Sequence, residues 1–580
     1  MNDMKRSILL SLSVLGLLFA ACQKNGPVGG GEDNSGEIVR QYLSLNIVPT
    51  GGVATRADEE YTPVPGGGTY KDGTEAESKV SSIRFYFFDE NGGPVEVGTV
   101  TGGTEPVSYI DWTSPVAGDA DQSETVENKL VTLLLNKKPT AALPTHVVAV
   151  LNAVADGGNM VSLATLRGAG NDKDYLTGRT ESGKFVMSNS VYLEGSEPHY
   201  ATEVSSHYAS SESEAMTNPV KIYVERVLAR VDLKIGMTER LVGGKTAYLT
   251  SSDTYDVTDE SGQQTEEEIY VEFLNWGLTG TSSVSRLVKE INAEWTDEGL
   301  FGSNAASEPW NVAAYHRSFW AVNAPAATQA YLSYDGITGA IPAAGEFATA
   351  YLQENASPAS APAAAPAEPS MVILKARLLD KNGEVLKLAK WANRYYTLDG
   401  LKKSIANGLE LYKKTSDATS GDKYDKIDPA DLDFVFTGND KYYVDVVLAA
   451  ASESAVWCVG KGENAGDPLG KDAVNSYIKE RVGHVQVWRD GQTYYYFEIR
   501  HLGGTVQGSE DDEPSPAYYG VVRNHIYEAT VKTVTGLGTP VYEPDSEIDP
   551  PIHTEDEGML AAEVRVLSWR VVRHDVDLTW

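Results

Sequence analysis

Cysteine is almost missing from this chain: only Cys22 and Cys458 occur in 580 residues. A disulfide-stapled scaffold is therefore excluded, and the fold must rest on an apolar core. Basic residues are scarce as well, 48 Lys and Arg against 82 Asp and Glu, for a net charge of −34. Such a surface disfavours nucleic acid and anionic membranes as partners and favours solubility outside the cell. The apolar run from Ile8 to Ala21 falls short of the roughly 20 residues that a spanning helix needs. Catalytic signatures are missing too. The nine histidines are scattered, without an HExxH motif or paired metal spacing. Ala465 to Asp472 (AGDPLGKD) lacks the first glycine and final hydroxyl of a phosphate loop, and no strand-to-helix context is evident there. Asn171, Asp172 and Asp174 read as an acidic turn rather than a calcium loop. Trp310, Trp320 and Trp391 read as packing residues rather than a glycan platform. The expectation is a protein that is not an enzyme and has no cofactor, metal or catalytic set.

What is present lies at the two ends. Lys5 and Arg6, the apolar run, then Ala20 and Ala21 before Cys22 make a secretory signal. It resembles a lipoprotein signal, with cleavage before Cys22 and lipid on its sulfur; Phe19 departs from the usual residue three places earlier, and a plain signal peptide is the alternative. A flexible Gly, Asn and Ser tether follows, and then Val39, Leu43, Leu45 and Ile47 alternate with polar neighbours, the mark of a one-faced strand. The next loop (PTGGVATRADEE) carries Arg56 before Ala57. A lone loop arginine is often nicked incidentally. A cut here, however, detaches the first strand and the anchor together, leaving a groove of unpaired backbone. Arg40 lies inside the strand, so Arg56 is the expected cleavage site.

At the other end Leu560, Ala562, Val564, Val566, Val572, Val576 and Leu578 alternate with charged residues, again a one-faced strand. Before it, Pro540 to Glu557 is rich in proline and carboxylates and is expected to behave as an extended, self-repelling arm. An unpaired strand of this kind is an aggregation hazard. It either folds back as the last strand of its own domain or is donated to another subunit.

Between the ends, short strands with turn punctuation predominate: Val80 to Phe88, Lys129 to Leu135, Thr145 to Asn152, Phe185 to Ser188, Tyr270 to Leu278, Ser318 to Val322, Met371 to Leu379, Tyr442 to Ala449 and Arg523 to Val534. Val220 to Ile235 reads as one long strand whose apolar face switches at a bulge near Arg226. His484 to Trp488 and Tyr494 to Arg500 read as a hairpin around Asp490-Gly491. Helices are expected over Met160 to Arg167, Ser285 to Glu294 and Leu401 to Tyr412, the last on the surface.

The segments FVMSN (Phe185 to Asn189), VERVLAR (Val224 to Arg230), YLQEN (Tyr351 to Asn355), GQTYYYFEIRH (Gly491 to His501) and VRNHIY (Val522 to Tyr527) resemble the fimbrillins of Bacteroides-type bacteria. The ending VRVLSWRVVRHDVDL (Val564 to Leu578) is similar to that of the shaft-forming subunit of the short, or minor, fimbriae; Thr579 and Trp580 are extra. The resemblance covers nearly the whole chain. It implies an all-β protein with few short helices, built from two tandem transthyretin-like β-sandwich domains with a removable N-terminal strand and a C-terminal donor strand. It also implies export as an outer-membrane lipoprotein precursor, cleavage after Arg56 by an arginine-specific protease, and refilling of the vacated groove by a neighbour's C-terminal strand in a cell-surface fimbrium that supports adhesion and biofilm formation. Expected partners are other copies of the chain, anchor and tip accessory subunits, the protease, and lipid at Cys22 before cleavage. The expected divisions are 1–22 signal, 23–56 tether and removable strand, 57–237 and 238–537 sandwiches, and 538–580 arm and donor strand. A lipid-anchored or tip-located adhesin for host glycan or protein is the alternative function.

Overall fold

The computed structural model describes residues 39–49, 70–71, 73–113, 124–125, 129–137, 142–180, 182–251, 253–305, 309–360, 368–417, 421–438, 441–505, 515–550 and 569–579. The chain is all-β with few short helices, as expected. In chain order the strands that matter here begin with β1 (Val39–Pro49), β2 (Tyr70–Lys71), β3 (Ser82–Phe88), β4 (Tyr109–Thr113), β5 (Lys129–Lys137) and β6 (His146–Leu151). They continue with β7 (Met187–Asn189), β8 (Val220–Arg226), β9 (Ala229–Ile235), β10 (Tyr270–Thr279), β11 (Ala348–Leu352) and β12 (Met371–Leu379). The last are β13 (Leu388–Trp391), β14 (Gln486–Trp488), β15 (Gln492–Glu498), β16 (His525–Thr535), β17 (Thr539–Pro540) and β18 (Trp569–Thr579).

Apart from β13 and β14, which lie in another five-stranded sheet, these strands build three sheets. The first runs β4-β3-β6-β7-β8-β1-β5, the second β2-β18-β16-β9-β11, and the third contains β10-β12-β15-β17. One apolar core passes through all three, joining Leu45 and Phe85 of the first, Leu233 and Tyr527 of the second, and Val271 and Leu374 of the third. A separate core lies in the stretch between β12 and β15, where two helices, α1 (Leu398–Gly408) and α2 (Lys471–Val482), pack on short strands.

The long strand expected over Val220 to Ile235 is two strands in different sheets. Val220, Ile222 and Val224 are buried in β8, and Val231, Leu233 and Ile235 in β9. The inward parity therefore changes from even to odd across Val227 and Leu228. Val227 N–H still donates to Val186 on the first sheet's side, whereas Leu228 C=O already accepts from Asn524 N–H beside β16. The bulge foreseen near Arg226 is thus a crossing between sheets. By its pairing with β11 and β16, β9 sits in the second sheet.

Four expectations need correction. Ser285 to Glu294 is not helical: the Arg523 guanidinium takes the carbonyls of Arg286 and Leu287, at 2.6 and 3.1 Å, which an α-helix would need for its own ladder. β14 and β15 form no hairpin, since β14 pairs with β13 and β15 with β12. Gly491, at φ +64, carries the chain between them, and a Cβ there would sit 2.9 Å from the Leu378 carbonyl. The surface helix expected over Leu401 to Tyr412 is α1, with Leu401 and Ile405 on its buried face, but it ends at Gly408, and Leu411 and Tyr412 belong to a strand. A helix does begin within the AGDPLGKD stretch, but Lys471 at its start pairs with Glu453.

Candidate functional site: two terminal strands and the polar joint between them

β1 is the first described strand, yet it occupies an interior position of its sheet. It pairs in parallel with β8 over five residues, Leu45↔Val220 to Pro49↔Val224, and antiparallel with β5 over nine, Val39↔Lys137 to Ile47↔Lys129. Leu43, Leu45 and Ile47 are fully buried. Ser44 is buried too, and its hydroxyl meets Thr132 Oγ1 at 2.8 Å. On the side away from β8, β5 hydrogen-bonds within this sheet only to β1. Removing β1 would thus open an internal slot and cut β5 off from the sheet.

At the other end, β18 pairs in parallel with β16 over ten residues, with one register shift, and antiparallel with β2 over two. Val572, Val576 and Leu578 stand opposite Tyr527, Val531 and Val534. The C-terminal strand is therefore paired within its own chain, and almost wholly along one edge. Part of the expected arm is docked as well. β17 pairs with β15, Asp335 N–H donates to Pro544, Ile548 N–H donates to Leu332, and Lys441 meets Asp549 at 3.0 Å. The self-repelling arm foreseen from Pro540 is held to the body through residue 550, because its backbone finds partners and a carboxylate finds a lysine. Cys22, Arg56, Ala57, Leu560, Ala562, Val564 and Val566 lie outside the described residues.

The segments that carried the family resemblance converge on a buried polar joint between the sheets. Arg226 on β8 donates to the Glu77 carbonyl at 2.8 Å and to Ser78 Oγ at 3.0 Å. Two residues past the crossing begins a second cluster. Arg230 grips Asp232 with two 2.8 Å bonds and reaches Glu77 at 3.1 Å. Tyr351 OH donates to the same Glu77 carboxylate at 2.8 Å. Burial pushes the Glu77 carboxyl up, but Arg230, Arg226 and the Thr74 N–H outweigh it and hold it below the ordinary range. Deeper in, Arg523, fully buried, bonds Glu354 at 2.9 Å, and Lys289, also fully buried, bonds Glu225 at 2.9 Å. Burial lowers the Lys289 ammonium below its usual value despite that partner.

Two histidines complete the joint. His501 Nε2–H donates to Phe319 C=O at 2.7 Å, while Nδ1 accepts from Tyr527 OH at 2.9 Å; the same phenol oxygen accepts from Val522 N–H at 2.8 Å. That pattern requires the neutral ring, and burial holds its pKa down at about 3. His525 donates from Nδ1 to Arg523 C=O at 2.7 Å, and its pKa too lies well below normal, again through burial. Sequence reading treated the histidines as scattered and missed this joint. Its signal was the arginines set among apolar neighbours in VERVLAR and VRNHIY, since a buried guanidinium demands a partner.

The joint ties the sheets together through hydrogen-bonded charged groups, with His501 neutral. Among the described residues no three His, Cys, Asp or Glu are placed to hold a metal ion, no helix is long and apolar enough to cross a membrane, and Cys458 is buried as a free thiol. Trp310 and Trp320 are buried, as expected of packing residues.

No curated protein matches the chain. Among solved structures, the tip fimbrial protein Mfa3 from Porphyromonas gingivalis is 12% identical, covering 67% of this chain and 99% of its own, with a TM-score of 0.26. A fimbrial assembly protein from Parabacteroides distasonis is 11% identical over 72% of this chain and 97% of its own, with a TM-score of 0.24. Residues 486–575 match the family described as major fimbrial subunit protein type IV, Fimbrillin, C-terminal, a span that includes β14 to β17, the VRNHIY arm of the joint and much of β18. The C-terminal part of the chain is thus similar to the fimbrillins.

Proposed function

We propose that this chain is a structural subunit of a cell-surface fimbria that polymerises by protease-triggered strand exchange. The precursor is exported, lipidated at Cys22 and carried to the outer membrane. An arginine-specific protease cuts between Arg56 and Ala57, β1 leaves with the anchor, and a neighbour's C-terminal strand takes its place. The observation that carries this reading is the setting of β1, the first described strand and yet interior to its sheet. While attached, β1 outcompetes any other strand through its high effective concentration. Cleavage ends that advantage.

The donor must first leave β16. Its one-edged pairing, with only two residues on the β2 side, makes peeling from one edge sufficient. Once seated between β8 and β5 it would be held on both edges, and removal would require opening the sheet. Accessory anchor and tip subunits would end the polymer.

A second reading is favoured by the pairing of β18 within its own chain: a lipid-anchored or tip-located adhesin for host glycan or protein, whose tail never leaves. One experiment separates the two. Purified precursor is digested with an arginine-specific protease, run unboiled on a denaturing gel, and each band is sequenced from its N-terminus. A ladder of oligomers beginning at Ala57 supports the subunit, and its loss in Arg56→Ala ties assembly to that cut. A trimmed monomer that never assembles rejects strand exchange and leaves the adhesin.

A further inference from the structure

Arginine and lysine carry the same charge, but this fold keeps them in different places. Every arginine between Lys71 and Pro550 falls among the described residues. Arg226, Arg317 and Arg523 are buried, and most of the others are half-buried. Their guanidinium groups are committed to internal contacts. Arg84 grips Asp111 at 2.6 and 2.7 Å and lies 3.6 Å over the Tyr109 ring. Arg167 meets both oxygens of Glu290 at 2.9 Å and covers the Tyr200 ring at 3.4 Å. Arg286 donates to the carbonyls of Val322 and Asn323 at 3.2 and 3.1 Å, and Arg179 to that of Asn152 at 3.0 Å. A planar guanidinium presents five donors in a fixed fork, which suits it to such sites better than an ammonium. The lysines lie mostly outside. Lys184, Lys221, Lys381, Lys423, Lys461 and Lys479 are exposed, and among the described residues Lys289 is the buried exception.

In this stretch Arg240, Arg394, Arg481 and Arg489 are exposed, and the backbone holds each of them. Arg240 pairs with Ala247, and Arg394 with Trp391, across hairpins. Arg481 lies in the last turn of α2. Arg489 sits in the short step between β14 and β15, where its guanidinium donates to Phe434 C=O at 2.6 Å and Gly491 C=O accepts from Leu378 N–H at 2.8 Å. Lys461, by contrast, opens a largely exposed connection, Gly460 to Gly470, with one 3₁₀ turn and a single bridge. Proteases nick exposed loops of that kind. A bond inside a paired strand or a helix must await local unfolding, so its cleavage follows the small open population. We propose that the body from Lys71 to Pro550 resists arginine-specific proteases but not lysine-specific ones, because its arginines are drawn into the fold and its lysines are not. The biological meaning of this resistance rests on the maturation cut proposed above: a protease that recognises Arg56 then trims the subunit without destroying it.

The test uses the full chain carrying Arg56→Ala, in which β1 stays attached, so the outcome does not depend on the maturation cut. It is digested in parallel with an arginine-specific and a lysine-specific protease, each calibrated on a small arginyl or lysyl amide, and the fragments are identified by mass. The lysine-specific enzyme should split the body after Lys461. Under the arginine-specific enzyme the body should last at least about ten times longer, as expected of bonds that open only by unfolding. Lys461→Arg in the same chain should abolish that difference, with the arginine-specific enzyme now cutting after residue 461. Cleavage of the Arg56→Ala chain at any arginine between residues 71 and 550 within about tenfold of the Lys461 rate overturns the proposal. So does a Lys461→Arg body that the arginine-specific enzyme leaves whole, because the resistance would then not come from where the arginines lie. The cut at Arg56 is read separately on the parent chain, so either idea can fail alone.

Discussion

Acidification should loosen the polar joint by an amount that the His501 geometry fixes. The ring is fully buried, donates through Nε2 to Phe319 and accepts through Nδ1 from Tyr527 OH. It has Lys289 and Arg317 as cationic neighbours, and its pKa is lowered from 6.5 to about 3. A histidine lowered in the fold takes up its proton first in the unfolded chain. Its contribution is therefore complete above pH 6.5 and is lost as pH falls from 6.5 toward 3. At pH 5 the unfolded state gains about 1.5 pH units of protonation, roughly 2 kcal/mol. His525 adds a term of the same sign. The assay is urea unfolding of the full chain at pH 8 and pH 5, with His501→Gln alongside the parent. Gln keeps a donor and an acceptor but no titrating group. Whatever it costs at pH 8, its stability should fall by roughly 2 kcal/mol less than the parent's between the two pH values. An identical fall in both proteins would mean that His501 charges within the fold and that the joint admits water, refuting the reasoning.

Two other outcomes follow from the same contacts. Glu354→Ala leaves the fully buried Arg523 guanidinium without its carboxylate and should cost about 3–5 kcal/mol, whereas adding Arg523→Met should restore most of it; equal losses in single and double variants by thermal unfolding would contradict this. Leu45→Ala, in the middle of β1 and fully buried, should cost the precursor about 2–5 kcal/mol. Once β1 has been cut away the parent and variant should melt together, and a persisting difference would show that the strand had stayed.

Alternation served well where a strand faces one core. β1, β3, β5, β6, β10, β12 and β16 lie where apolar periodicity put them, because a buried face leaves a period-two imprint on local sequence. Reading failed where a distant residue decides. Nothing in Ser285 to Glu294 announces that Arg523, more than two hundred positions away, will take its carbonyls. Asp490-Gly491 has the composition of a hairpin turn, yet the strands on either side are claimed by β13 and β12. The acidic arm looked free because its prolines and carboxylates suit an extended chain, while Leu332 and Lys441, which hold it, are remote in sequence. At the proposed exchange site the strands were legible and the slot was not, since a slot consists of what β8 and β5 do to each other's edges. The joint was half legible: arginines among apolar neighbours were visible in VERVLAR, and the groups that hold them were not.

The crossing from β8 to β9 has a mechanical meaning. Between Val227 and Leu228 the connection from the first sheet to the second is covalent, and Arg226 and Arg230 bracket it with bonds to the same Glu77 segment. Tension applied at the slot beside β8 runs along that backbone into β9 and, through the parallel ladder to β16, reaches the strand that holds the tail. Both ladders on this path, β9 with β16 and β16 with β18, are parallel.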